Sequence, residues 1–260
     1  MQASSLTQEV VEASQMLVVE TFRSFRGELL ASYGHIASTR KVDGSLVTVL
    51  DKKVENTIKS VLAESFPELS FRGEETGRSG KDNAYWVIDP IDGTTSFIRG
   101  TGRCTNMAAL MVGGQPIAAV IYDFVQDVLY TARKGEGAWM NGVRISVNEH
   151  SIAGAFVDNA NPVSYDLIAR YFAKHGARLF QPTGASGRSL TDVASGRMEG
   201  YVVHNTKVLE HDLMPGLFIA LEAGAEIVPL DSAEPWNSAE PGNYAVVNKK
   251  LGEHIRAHQL

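Results

Sequence analysis

The residues best suited to chemistry are carboxylates. In "WVIDPIDGTTSF" (86–97) an apolar run ends on Asp89, and Asp92 follows three residues later, ahead of Gly93, Thr94 and Thr95. Asp-Gly after a strand commonly makes a turn, and Pro90 favours a bend. A turn alone does not account for Asp89, because a carboxylate closing a buried run needs partners. An EF-hand calcium loop does not fit, since the third and twelfth positions counted from Asp89 are Ile91 and Gly100. Phosphatases with a nucleophilic aspartate use Asp-x-Asp-Gly-Thr. The chain has Asp-x-x-Asp-Gly-Thr, which aims the second carboxylate elsewhere and disfavours an aspartyl-phosphate mechanism. What remains is a pair of acids splayed by a turn, suited to two hard cations held close together. Asp89 could bridge both, Asp92 could serve one, and the Ile91 carbonyl is a natural extra ligand. Oxygen donors of this kind select Mg, Ca or Mn.

Such a site needs more oxygen ligands. "FRGEET" (71–76) offers Glu74 and Glu75, with Glu74 fifteen residues before Asp89. Taken alone it reads as a solvated acidic turn. Asp51 opens an amphipathic stretch and Asp212 opens an apolar one, and each alone reads as a helix cap. Together Asp51, Glu74, Asp89, Asp92 and Asp212 form an ordered acidic set.

The elements that must position these acids follow from periodicity. Val11, Val18, Phe22, Phe25 and Leu29 recur at helical spacing and predict a helix over 5–30. A second helix is expected over 51–65, capped by Asp51 and ended by Pro67. Short apolar runs at 84–89, 105–112, 117–123, 127–132 and 137–140 read as an antiparallel meander. Beyond residue 150 strands are expected near 154–158, 178–181, 199–203, 225–228 and 244–247, with helices near 163–175, 186–196, 212–224 and 248–257. This gives an N-terminal α+β half (1–150) carrying most candidate ligands and a C-terminal α/β half (151–260) carrying Asp212.

Bulk properties narrow the class. The 260 residues suffice for one large α/β domain or two small ones, and 44% hydrophobic with 21% charged content is that of an ordinary globular protein. A formal net charge of −6 without a basic run argues against a nucleic-acid partner. The single cysteine, Cys104, excludes an intramolecular disulfide and a cysteine zinc cluster. The start "MQASSLTQEVVEAS" lacks a secretory pattern, and the apolar window "MAALMVGGQPIAAVIYDFV" is broken by Gly113, Gly114 and Pro116. A cytoplasmic protein that does not enter membranes is expected.

With those acids assembled, the chain resembles the inositol monophosphatase family of magnesium-dependent, lithium-sensitive phosphatases. "DGSLVTVLDKKVE" (43–55), "GEET" (73–76), "WVIDPIDGTTSF" (86–97), "YTARKGEGAWMNG" (130–142) and "EHDLMPGLFIALEAGAEI" (210–227) carry the resemblance, in family order and over nearly the whole chain. It implies a layered α-β-α-β-α sandwich of the inositol monophosphatase and sugar phosphatase type, usually a homodimer. It implies that Glu74, Asp89 and the Ile91 carbonyl hold a first metal and Asp89, Asp92 and Asp212 a second. Glu74 would also serve a weaker third metal or its water. Thr94, with Asp51 behind it, would orient the attacking water, and the amides of Gly93 and Thr94 would face phosphate oxygens. Two to three Mg²⁺ ions are implied, with Mn²⁺ able to substitute and Ca²⁺ or Li⁺ inhibitory.

The resemblance also implies a substrate, a small phosphorylated metabolite with inositol monophosphate first. The chain departs from the pattern around the leaving group. His211 stands where the family usually has Trp, and Ser96 where it has Asn. The substrate block reads Gly184, Ala185, Ser186, Gly187 instead of Gly-Ser/Thr-Ala-Ala. The segment 201–212 is longer than in inositol-specific members and has no clear match for their substrate-binding acid, though His204 falls nearby. Ala185, Ser186, His204 and Asp212 are the expected substrate contacts. Histidinol phosphate, a 3′-phosphonucleotide or a sugar bisphosphate are the alternative substrates, and a non-catalytic metal-binding relative is the alternative to an enzyme. Lys41 and Asp43 lie on a loop that the resemblance implies closes near the active site, although taken alone it reads as a solvated loop.

Overall fold

Helical spacing at the N-terminus produces not one helix but two. α1 (Gln8–Ser24) and α2 (Arg26–Ser32) are separated at Phe25, whose N–H bonds back to the Phe22 carbonyl at 3.2 Å. That i→i−3 bond tightens the turn without interrupting the apolar stripe, so Phe25 and Leu29 stay in the core. The computed structural model describes residues 6–42, 44–80, 83–152, 155–159, 165–180, 185–203, 210–230 and 243–258.

A short ribbon of β1 (Thr39–Arg40) and β2 (Leu46–Val47) leads into α3 (Val49–Ser65). Then come β3 (Ser70–Gly73), β4 (Gly77–Ser79), β5 (Ala84–Asp92), α4 (Thr94–Arg99), β6 (Thr105–Val112), β7 (Gln115–Asp123), β8 (Val128–Arg133), β9 (Gly137–Met140) and β10 (Val143–Ile145). The remaining elements are β11 (Phe156–Asn159), α5 (Tyr165–Lys174), β12 (Arg178–Phe180), α6 (Ser186–Ala194), β13 (Gly200–Val203), α7 (Glu210–Glu222), β14 (Glu226–Pro229), β15 (Tyr244–Val247) and α8 (Lys249–His258).

Among the described residues the large sheet has eight strands in the order β10-β9-β8-β7-β6-β5-β3-β4. The run from β5 to β10 is the antiparallel meander expected from its alternation, while β3 joins β5 in parallel. The second sheet has five strands in the order β12-β11-β13-β15-β14, mixed in direction.

Alternation along the strands sends successive side chains to opposite faces. Trp86, Ile88, Ala108 and Leu110 pack with α1 and α3, while Tyr85, Val87, Met107 and Ala109 pack with α6 and α7. Tyr201, Val203, Tyr244 and Val246 of the second sheet share that same inner core, and Phe172, Leu251 and Ile255 of α5 and α8 cover its far face. The result is the layered α-β-α-β-α sandwich, with α6 and α7 packed between two sheets. Each fully buried side chain of this kind contributes about 1.5–3 kcal/mol. No helix of the described residues is long and apolar enough to cross a membrane.

Candidate active site

β5 does not stop at Asp89, as alternation alone suggests, but runs on through Pro90 to Asp92. Pro90 has no N–H for the ladder, and the register with β6 shifts between Asp89 and Asp92. The Asn106 amide spans the gap by donating to the Pro90 carbonyl at 2.5 Å. This bulge presents both acids at one strand end. The chain then reverses at Gly93, whose backbone is left-handed with φ 78°. A Cβ at Gly93 would lie 2.5 Å from the Arg103 carbonyl oxygen and 3.0 Å from the Ala185 methyl, so only glycine fits. Thr94 follows, its hydroxyl 3.0 Å from the Ile91 carbonyl and 3.4 Å from Asp51 Oδ1.

Asp51 is fully buried and is not the helix cap that its position suggested. Thr48 caps α3, and Asp51 completes a capping box by accepting from the Thr48 amide at 2.8 Å and hydroxyl at 2.6 Å. Burial pushes the Asp51 carboxyl up to about 6, against the Thr48 donors and with some help from the charge of Glu74.

Asp92 sits in a cradle of neutral donors. Its Oδ1 accepts from the Ser186 amide at 3.1 Å, and its Oδ2 from the Gly187 amide at 2.9 Å and the Thr105 hydroxyl at 3.2 Å. Burial, and then repulsion from Asp212, still raise it to about 7. Asp89 is worse placed. Its Oδ1 accepts from the Ile91 amide at 3.0 Å. Burial raises its pKa well above the ordinary range, and the charges of Glu74, Asp92, Asp212 and Asp51 add to the effect in that order. The five acids picked out by spacing therefore share one electrostatic environment.

Glu74 leaves β3 beside Asp89, its amide donating to the Ile88 carbonyl at 3.2 Å. The loop that carries it is held from below by Glu55 of α3, which accepts from the amides of Glu75 at 2.8 Å and Thr76 at 2.6 Å. Any side chain at Gly73 would run into that carboxylate, 2.1 Å away. Lys41, whose loop taken alone reads as solvated and by resemblance closes near the site, turns its ammonium onto the acids, 2.6 Å from Glu74 and in contact with Glu75. Burial opposes the Lys41 charge, but the two glutamates outweigh it and raise its pKa.

Asp212 lies in the first turn of α7, the His211 ring 3.6 Å from its carboxylate and its backbone carbonyl accepting from the Ser186 hydroxyl. Ser186 thus faces Asp92 and Asp212, while Ala185 is buried against the Gly93 turn. His204 and Asp43 lie outside the described residues. Sequence reasoning missed Glu55 and Thr105, and it named Gly187 and Lys41 without assigning either a place against the acids.

Whether this set suits a cation can be judged from its chemistry. Its side-chain donors are carboxylates, joined by one backbone carbonyl, the preference of hard divalent ions. Among the described residues no three His, Cys, Asp or Glu side chains stand together as a group that could hold a metal ion. The Lys41 ammonium meanwhile provides positive charge beside Glu74 and Glu75. The donor set fits a hard divalent cation by the type of its oxygens.

Comparison with known proteins decides the family. A model of the inositol monophosphatase family matches residues 9–259. The chain belongs to that family. As an inositol monophosphatase family member it is 32% identical over 234 residues to the Nus factor SuhB of Vibrio cholerae, covering 85% of this chain and 86% of the relative. The extragenic suppressor protein suhB of Bartonella henselae superposes with a TM-score of 0.81 at 25% identity, covering 94% of this chain and 97% of that one. A structure of an IMPase/NADP phosphatase complexed with Mg²⁺ and phosphate superposes with a TM-score of 0.78 at 23% identity, covering 95% and 94%.

Proposed function

We propose that this inositol monophosphatase family member is a magnesium-dependent phosphatase of a small phosphomonoester, with inositol monophosphate the first substrate to test. The observation that carries this reading is Asp89, a buried carboxylate repelled by four other acids. Such an arrangement is unfavourable unless a proton or a cation neutralises it. Glu74, Asp89 and the Ile91 carbonyl would hold one ion, and Asp89, Asp92 and Asp212 another, with Glu74 also serving a weaker third. Bound magnesium would supply Lewis acidity and positive charge toward the phosphoryl group and its attacking and leaving oxygens. Manganese would substitute, and calcium or lithium would inhibit.

The chain's own residues would supply positioning and proton transfer. The Thr94 hydroxyl has one hydrogen, which it can give to Asp51 while its lone pair accepts from a water. Asp51, whose Oδ1 lies 3.4 Å from that hydroxyl, would take the proton. The amides of Gly93 and Thr94 would face phosphate oxygens at the left-handed turn. Ala185, Ser186, His204 and Asp212 would border the leaving group. His211 and Ser96, which differ from the family pattern, favour testing histidinol phosphate, a 3′-phosphonucleotide and a sugar bisphosphate beside the inositol ester. A homodimer is inferred from family membership, and gel filtration with light scattering checks it.

Phosphate release from that panel, with and without magnesium, tests the reading. Release should require magnesium, and kcat/KM should rank one ester above the rest. Silence on every ester would sink it. The Vibrio relative carries the name Nus factor, which favours a second reading in which the chain binds a partner instead of turning over an ester. Magnesium-dependent turnover at ordinary enzyme rates would remove that reading.

A further inference from the structure

Asp212 differs from the other candidate ligands in being carried by a helix whose first turn is poorly held by its own backbone. Pro215 lies inside α7 and has no N–H. The carbonyl of His211, four residues earlier, therefore lacks its intrahelical donor. Ties from outside the helix hold the same turn through the Glu210 side chain. Arg72 donates to Glu210 Oε2 at 2.6 Å, and the Tyr85 hydroxyl donates to Glu210 Oε1 at 2.9 Å. The Arg72 guanidinium also lies over the Tyr85 ring, 3.6 Å from its centroid, where its charge meets the π face.

The placement of this cluster gives it meaning. Arg72 lies on β3 opposite Val87, two residues before Glu74 follows the strand end, and Tyr85 lies on β5 four residues before Asp89. Period-two alternation puts Tyr85 on the same face as Asp89, and its pairing with Val87 puts Arg72 there too, on the face that α7 covers. Glu210 precedes Asp212 by two. We propose that Glu210 is a positioning residue which, gripped by Arg72 and Tyr85, sets where Asp212 stands relative to Glu74 and Asp89. The clamp joins the helix that carries one candidate ligand to β5, which carries Asp89 and Asp92, and to β3, which leads into Glu74. This rests on the magnesium reading above.

The test is magnesium binding by titration calorimetry on the full chain without substrate, read beside hydrogen exchange in the metal-free protein. Glu210→Ala should weaken magnesium binding about tenfold, as loss of an outer support to a metal ligand commonly does. Exchange in the first turn of α7 should quicken. Glu210→Gln, which can still accept the Tyr85 hydroxyl, should recover part of the affinity. Glu210→Ala combined with Asp212→Asn should bind no more weakly than Asp212→Asn alone, because both act through one ligand. If Glu210→Ala does not fold, Tyr85→Phe decides, with a smaller loss in the same direction. A lowered Tm with unchanged magnesium affinity would overturn the proposal, and so would fully additive losses. A wild-type chain that binds no magnesium would overturn the underlying reading, whereas binding that ignores these substitutions would overturn this inference alone.

Discussion

The cradle around Asp92 and the pocket around Asp89 are three residues apart, yet the chain furnishes them differently. Asp92 is met by two amides of α6 and a hydroxyl of β6. Asp89 is met by the Ile91 amide and the repulsion of four acids. One carboxylate is solvated by the fold; the other is left for a proton or a cation to satisfy. Affinity for a cation in such a cluster comes as much from what the protein withholds as from what it supplies.

The sharpest way to break that contrast is to neutralise Asp89. Asp89→Asn should lower phosphate release by at least about 10²-fold, the scale of losing one preorganised electrostatic group. The same change should raise the Tm of the metal-free protein, because it deletes a repelled charge, and about 1 kcal/mol corresponds to roughly 2–4 °C for a chain this size. A lower metal-free Tm would show that Asp89 is satisfied in the fold after all. Gly187→Ala attacks the other side. Its Cβ would lie 2.6 Å from Met107 Sδ and 2.9 Å from Asp92 Oδ2, so the cradle must shift. Destabilisation of about 1–3 kcal/mol is expected from overpacking, with weaker magnesium binding by calorimetry.

Acidity sharpens the contrast further. Asp51 at about 6 and Asp92 at about 7 both lie above the ordinary carboxylate value. The folded metal-free chain therefore keeps protons that the unfolded chain releases. The stability these two groups contribute is full below about pH 4 and is lost as pH rises through 6 and 7. Magnesium competes with protons for the Asp92 oxygens, so its effect on Tm should grow from about pH 5.5 to about pH 7.5. A Tm gain that stays flat across that range would contradict the assignment. The smallest effect is expected at Lys41. Its ammonium must leave Glu74 before a cation can use that carboxylate, so Lys41→Gln should tighten magnesium binding a few-fold, measured without substrate.

Much of the frame was legible because it is periodic. The meander, α3 and the alternating second half follow from apolar spacing, and the "DPIDGTT" turn and its distant acids could be assembled by residue type. Breaks in local pattern were harder. Phe25 continues the apolar stripe across the gap between α1 and α2, so no period marks the end. Asp51 has the composition of a cap, yet Thr48 stands at the residue whose side chain reaches the free amides. Pro90 argues against a strand interior, and the Asn106 amide that holds it there is 16 residues away. Lys41 with Glu74, Glu55 with the Glu75 amide, and Arg72 with Glu210 are pairings of the folded chain. Nothing in the local sequence of either partner announces the other.

The left-handed turn at Gly93 has a practical meaning for anyone wishing to redirect this protein toward a new ester. With a backbone carbonyl 2.5 Å from where any side chain would begin, that position accepts no diversity, and a library that randomises it spends its members on misfolded chains. His211, beside Asp212 and partly open to solvent, can be varied without touching the turn. The phosphate end is a fixed grip, and retraining the hand has to begin at the fingertips.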